Sequence, residues 1–559
     1  MPTITIDPIT RIEGHLRVEV AVDNNQVTDA WSITPAFRGL EIILKGRDPR
    51  DAWALTQRIC GVCTTVSAIG SVRAVENALG IAIPDNARIF RNLMEGIQYI
   101  QDHAIHFYHL HGPDWFDVVS ALSANPAGTA ALQTRRDAAY FKSVQDRLRA
   151  FVNSGQLGLF ANGYWGHPAY KLPPDGNLLL MAHYLEALDW QKEIIKVHAI
   201  IGGKNPHPQT YVVGGMAKPI NPTGDSKFAL TNADTATLQK LAATALDFVK
   251  NVYVPDVLYL ASFYKDWATL GAGAGNYLSY GDFPDKNGAK WLPPGIILNR
   301  DLSKVVPVDY AKITEDVTRA WYQNTAAPLH PSKGVTQPNY TGPTPPYTSL
   351  VSAGAKYSWG KAPRYDGKVM EAGPLSRLAV AYAAGVPDIK ALIDSSLAKL
   401  GLPITALFST LGRTLTRALE TQAVAQKMAG WIGELQANMK SGNLSVANAA
   451  KWNPSTWPAT ASGFGTTEAP RGALGHWVSI ANGKIANYQI IIPSTWNGSP
   501  RDAKGQRGAW EQALLQTPVA DPNRPLEVLR TVHSFDPCMA CAVHVIDTRG
   551  TEVTQVKVA

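Results

Sequence analysis

The apolar positions change period along this chain. Near the start, HLRVEVAVD, a polar Asn24–Asn25 and VTDAWSI alternate apolar with polar residues, which predicts a β-hairpin. From residue 66 the spacing lengthens: Val66, Ile69, Val72, Val75 and Leu79 fall on one face of a helix that Gly80 can cap. After Pro84–Asp85 the series Ile89, Leu93, Ile97, Ile100 and Phe107 predicts a long amphipathic helix. Further long helices are expected over 130–155, 176–202, 235–262 and 405–440. So many long helices predict a bundle as the body of the protein. The stretch 270–375 is rich in Gly, Pro and Tyr and predicts irregular loops with short strands, and YQIIIPSTW returns to strand. The fold class expected is α+β, a predominantly helical body with β or irregular elements at both ends.

Composition adds few constraints. With 559 residues, 45% hydrophobic and 17% charged, the chain reads as globular. Its 52 basic residues exceed the 45 acidic ones only mildly, and no basic run is interleaved with aromatics, so nucleic acid is not an expected partner. No apolar run reaches the roughly 20 residues that span a bilayer. The opening MPTITIDPITRIEGHL lacks the basic and apolar regions of a secretory signal, so export or membrane attachment is expected to come through a partner. Gly271–Gly275, GAGAG, does not match a dinucleotide fingerprint.

The cysteines change the picture most. There are four, in RICGVC (Cys60, Cys63) and SFDPCMACAVH (Cys538, Cys541), near opposite ends of the chain. Two Cys-x-x-C pairs let four thiolates converge on one metal. Structural zinc is the ordinary meaning of such a set, and two redox pairs or local disulfides are the next. Three details speak against zinc: the chain has ample core without a staple, the pairs lie at the two ends, and Asp536–Pro537 and His544 flank the second pair. Thiolates suit nickel and low-spin iron equally, so ligand type alone leaves the metal open. Asp102, His106 and His109 are expected on one helix face, as metal ligands or as histidines hydrogen-bonded between bundle helices. Glu13 could pair with Arg11 or Arg17, and Arg471 could be a loop arginine.

Read together, RICGVCTT, DPCMACAVH, DPITRIEGHLRVEV, AFRGLEIIL, QDHAIHFYHLH, GGKNPHPQ, APRGALGHW and NYQIIIPSTWN resemble the large subunit of uptake-type nickel–iron hydrogenases, in order along nearly the whole chain. The resemblance implies a reversible cleavage of H2 into two protons and two electrons, run as uptake, at a Ni–Fe centre. Cys60 and Cys538 would be terminal nickel ligands, with Cys63 and Cys541 bridging to an iron that carries carbon monoxide and cyanide. The backbone around Arg471 and the Ser494 hydroxyl would bond the cyanides. Glu41, the Ile490 carbonyl and His544 would hold Mg2+ or Fe2+. H2 is a very weak acid, so its cleavage needs a metal and a base. Cys538 would accept the proton and Glu13 would relay it. Arg471, oriented by Asp102 and Asp536, would act chiefly by electrostatics and position.

No cysteine remains for iron–sulfur clusters, so the resemblance implies an obligate small subunit that carries them, and a possible dimer of such heterodimers. Electrons would pass through it to a membrane cytochrome b or another quinone-linked acceptor, on the periplasmic face, with a cytoplasmic location as the alternative. Metal-insertion proteins and a maturation endopeptidase are implied as well. Residues 1–544 would form one multi-lobed unit, and 545–559 a tail removed on maturation. One departure is Ser67, where the family usually has histidine. Non-catalytic relatives of the complex I type and a structural zinc protein are the competing classes. Retention of the four cysteines with Glu13 and Arg471 argues against the former.

Overall fold

The computed structural model describes residues 3–155, 163–224, 228–344, 347–352 and 354–539. The hairpin predicted at the N-terminus forms β2 (Arg17–Asp23) and β3 (Gln26–Ile33), and β1 (Thr3–Ile6) adds to its other edge, all antiparallel. Helix α1 (Val66–Leu79) follows the first cysteine pair. Helix α2 (Asp85–Ile105) is buried on nearly every face, unlike the amphipathic helix its pattern suggests, because other elements pack all round it.

Helix α3 (Ala138–Asn153) packs on α4 (Pro174–Ile194) and α5 (Asn232–Phe248) on the 31-residue α6 (Thr410–Lys440), and α4 and α6 both run against α2. A second antiparallel sheet, β4 (Thr460–Ala469), β5 (Gly472–Ala481) and β6 (Lys484–Ile491), lies on α1. Helix α7 (Leu526–Ser534) leads to the second cysteine motif. The α+β class holds. Among the described residues, no helix is long and apolar enough to cross a membrane.

Three of the expected helices are interrupted. The 130–155 segment divides because Gln133 folds its side-chain oxygen onto the Arg135 and Arg136 amides and Asp137 caps a new start at the Tyr140 amide. The 176–202 segment breaks at Ile195 into α4 and Lys196–Gly202. The 235–262 segment widens into a π-turn at Val249–Tyr253 just before Pro255, whose missing N–H cannot continue the ladder. Sequence reasoning missed β4 and β5, whose glycines blur the alternation.

Those glycines have a purpose. Strand β4 runs against the backbone of α1: a Cβ at Gly465 would lie 2.3 Å from the Ala74 amide nitrogen and 2.4 Å from the Gly70 carbonyl. The sheet that leads to Arg471 is thereby seated on the helix that follows Cys63. Gly465→Val is expected to lower the stability of the protein by about 1–3 kcal/mol or more through forced separation. Gly430→Ala, with open space around its Cβ, should leave it level or slightly raised. Thermal unfolding of the two variants side by side checks this.

The apolar interior has several parts. The largest joins α1 to α6. A second packs the N-terminal sheet against residues 509–539. Between these lies a small cluster containing Ile59, Val66, Ala469, Leu474 and Ile492 together with Cys60, Cys63 and Cys538.

Candidate metal centre

The Cys-x-x-C turn arranges donors around the first thiol. A 3-10 turn, Gln57–Ile59, ends at Cys60 in extended backbone, and the chain then folds back so that the amides of Val62 and Cys63 both point at Cys60 Sγ, each at 3.2 Å. Two N–H dipoles on one sulfur favour its thiolate form. Cys538 arrives from the other end of the chain, with its Sγ 3.5 Å from Cys60 Sγ and 4.0 Å from Cys63 Sγ. All three sulfurs are buried and lie within 4.8 Å of one another. One metal can reach all three, and the soft, water-excluded donor set fits nickel and low-spin iron. Cys541 and His544 lie outside the described residues.

Cys538 is held by its surroundings. Its amide donates to Ser494 Oγ at 3.1 Å, and its Sγ is 3.3 Å from Glu13 Oε2. Glu13 and Cys538 also pair as a parallel β-bridge, and the Met539 amide donates to the Glu13 carbonyl at 2.6 Å. Arg17, a candidate partner for Glu13, instead pairs with Glu19, and Arg11 pairs with Asp114.

Arg471 sits where the geometry of an oriented cation demands. Gly472 has φ +129, and a Cβ there would lie 2.5 Å from the Gly373 amide nitrogen, so only glycine permits the turn that sends Arg471 inward. Its Nη1 is 3.2 Å from Asp102 and its Nη2 2.9 Å from the Asp536 carboxylate, and Nε donates to the Asp536 carbonyl at 3.1 Å. Burial opposes the guanidinium charge, but Asp536, Cys538 and Asp102 hold its pKa well above the ordinary arginine value. Burial likewise pushes the Asp102 carboxyl well up, partly offset by Arg471. Gln98, not anticipated from the sequence, donates to Asp102 at 2.7 Å and to the Val62 carbonyl at 2.9 Å, tying that carboxylate to the cysteine turn. Its only sequence signal is its place one helical turn before Asp102.

Cys63, Cys538, Arg471, Ser494 and Ser67, with apolar walls from Val66 and Leu474 among others, enclose a cavity of about 10 Å3. Because Ser494 Oγ already accepts the Cys538 amide, its own proton is available to donate elsewhere.

Glu41 and Ile490 also come together: the Ile490 amide donates to Glu41 Oε1 at 2.9 Å. The other Glu41 oxygen accepts from Thr336 and from Lys361 Nζ, the latter at 3.1 Å. Lys361 further reaches Gln489 at 2.8 Å and Glu315 at 3.5 Å. Burial, with Glu41 adding to it and Lys361 opposing, moves Glu315 up to about 7. These groups border a cavity of about 70 Å3 lined by Arg38, Glu41, Ile490 and Ile492 among others.

His106 and His109 do not join Asp102. The α-helix ends at Ile105 and continues as a π-turn over His106–His111. His106 bonds the His533 carbonyl at 2.7 Å and His109 the Tyr184 carbonyl at 3.0 Å, the inter-helix alternative.

Against known proteins, the profile of a family described as nickel-dependent hydrogenase matches residues 38–544, and one described as HoxL-like matches 3–33. The chain is 52% identical to the uptake hydrogenase large subunit of Rhizobium leguminosarum bv. viciae, over 99% of this chain and 97% of that protein. It is 48% identical to the hydrogenase-1 large chain of Escherichia coli K12, with the same coverage of both. Among solved structures it resembles the reduced Ni-Fe-Se hydrogenase of Desulfovibrio vulgaris Hildenborough with a TM-score of 0.76 and 35% identity, covering 97% of this chain and 100% of that one.

Proposed function

Since this chain belongs to the nickel-dependent hydrogenase family, as the catalytic large subunit of a nickel–iron hydrogenase that oxidises H2, we propose how its own residues carry that chemistry. Cys60, Cys63, Cys538 and Cys541 would hold a nickel–iron centre, Cys60 and Cys538 as ligands to nickel alone and Cys63 and Cys541 as ligands shared with an iron that would carry carbon monoxide and cyanide. The buried sulfur cluster supports this assignment, and the cavity bounded by Arg471 and Ser494 supports the small iron ligands. When bound, the centre supplies the electrophile that polarises H2 and accepts its two electrons.

The chain supplies the rest. Cys538 Sγ takes the proton, and Glu13, 3.3 Å away, carries it off. Arg471, fixed by Asp102 and Asp536, places a positive charge over the cluster and acts chiefly by electrostatics and position. The apolar wall excludes water, which strengthens each of these electrostatic contacts. The Cys538–Glu13 contact inside the thiol cluster is the observation that carries this reading.

A large subunit implies a small-subunit partner. That partner bears the iron–sulfur relay to a membrane cytochrome b or another quinone-linked acceptor, on the periplasmic face. Glu41, the Ile490 carbonyl and His544 would hold Mg2+ or Fe2+; the Ile490 amide bond to Glu41, which brings these two residues together at the edge of the larger cavity, supports this reading. Residues 1–544 are the mature unit, and an endopeptidase removes 545–559 after metal insertion. Mass spectrometry of active enzyme should therefore find His544 as the last residue. An active chain ending at Ala559 overturns the processing step.

Metal analysis tests the centre itself. About one nickel and one cluster iron per chain, with infrared bands of bound carbon monoxide and cyanide, is the expected result. Zinc alone refutes it.

A further inference from the structure

The N-terminal loop that carries Glu13 and the helix that delivers Cys538 are both tied to a single buried carboxylate outside the thiol cluster. Asp114 lies in a 3-10 turn just beyond the π-turn of His106–His111 and is fully buried. One of its oxygens pairs with the Arg11 guanidinium, two residues before Glu13, and Arg11 also donates to the Leu110 carbonyl. The other oxygen is 2.6 Å from His533 Nδ1 and 3.4 Å from His111 Nδ1. His533 Nε2 in turn bonds the Thr10 carbonyl at 2.8 Å. Arg530, one turn earlier on α7, donates to the Asp114 carbonyl through Nε and Nη2 at 3.0 and 2.6 Å.

His111, Asp114 and His533 have the spacing of a metal site, but their atoms are already engaged. The Trp115 indole N–H donates to His111 Nε2 at 2.8 Å, which leaves the Nδ1 proton for Asp114. His533 faces acceptors at both ring nitrogens, and a cation placed there would also meet the Arg11 guanidinium. Although burial would raise the Asp114 carboxyl, Arg11 and His533 hold it well below its usual range, as a hub of charge-assisted hydrogen bonds requires.

We propose that Asp114 is a positioning residue which, through Arg11 and His533, holds the Glu13 carboxylate within proton-transfer distance of Cys538. This rests on the reading of Glu13 as the proton carrier. Two chain segments more than 500 residues apart must meet to within a hydrogen bond, and the Asp114 hub is anchored to each. A loosening of about 1 Å at such a contact costs about 10²-fold in rate.

The test uses the purified heterodimer carrying Asp114→Asn or Arg11→Lys. Nickel per chain and H2/D+ exchange across pH are measured together, with Glu13→Gln in the same series. We expect full nickel with exchange lowered by about 10- to 100-fold and a displaced pH profile. Exchange that falls only in proportion to lost nickel means the hub merely supports the fold, and overturns the proposal; so does unchanged exchange with full nickel. If Asp114→Asn does not assemble, Arg11→Lys decides by the same criteria. Normal exchange in Glu13→Gln defeats the proton-carrier reading itself, whereas a defective Glu13→Gln beside silent hub variants defeats only the hub.

Discussion

Glu13→Gln is expected to retain its nickel and to lose H2/D+ exchange by about 10²- to 10⁴-fold, the usual contribution of a positioned acid–base group. The geometry separates the two effects. The β-bridge to the cysteine segment is made by the Glu13 backbone, whose carbonyl accepts the Met539 amide at 2.6 Å, so a glutamine side chain leaves that bridge intact. What changes is the group 3.3 Å from Cys538 Sγ, which can no longer take and release a proton. Isotope exchange reports this step without needing electron transfer to a partner. Normal exchange would remove Glu13 from the route.

Arg471→Lys is the second large effect. The guanidinium makes two hydrogen bonds, to Asp102 and to the Asp536 carbonyl, and an ion pair with the Asp536 carboxylate. An ammonium keeps the charge but cannot span a planar fork, and its position over the thiols is lost. Turnover is expected to fall by about 10²-fold, the scale for loss of one preorganised electrostatic group, with nickel retained. Arg471→Met should go further and destabilise the enzyme by about 3–5 kcal/mol, because Asp102 and Asp536 are left buried without their counter-charge. Dye reduction under H2 and thermal unfolding measure the two consequences. Full turnover in the lysine variant would show that charge alone suffices and that the fork is incidental.

How much of this could be read beforehand depends on the kind of signal. Strict periodicity located the β2–β3 hairpin and α1, because a buried face enforces its spacing locally. The hairpin of β4 and β5 escaped, since Gly463 and Gly465 serve a close approach to α1 and erase the alternation that would announce a strand. At the centre, the Cys-x-x-C spacing marked the ligands, and chemical type marked Glu13, Arg471, Asp102 and Asp536. Bottom-up reasoning on single residues could not join them, because their meeting is tertiary: Asp102 lies on α2, Arg471 before β5 and Asp536 after α7. Gln98 and Asp114 stayed hidden for the same reason. Each is an ordinary polar residue until the chain places it between others. Of the polar set expected on one face of α2 and its extension, Asp102 pairs with Arg471 while His106 and His109 bond backbone carbonyls, a choice that only the tertiary neighbours decide.

The placement of the sulfurs between two separate apolar interiors has a consequence for biosynthesis. Cys60 and Cys63 stand beside α1, which packs mainly on elements encoded before residue 492, whereas Cys538 belongs to a segment packed on the N-terminal sheet. A nascent chain halted before its last few dozen residues can thus complete the first half of the cradle while the second is still inside the ribosome. Closure of the cradle would then be a late, separable event that brings the second apolar interior onto the first, and a metal loaded beforehand would be the rivet between them.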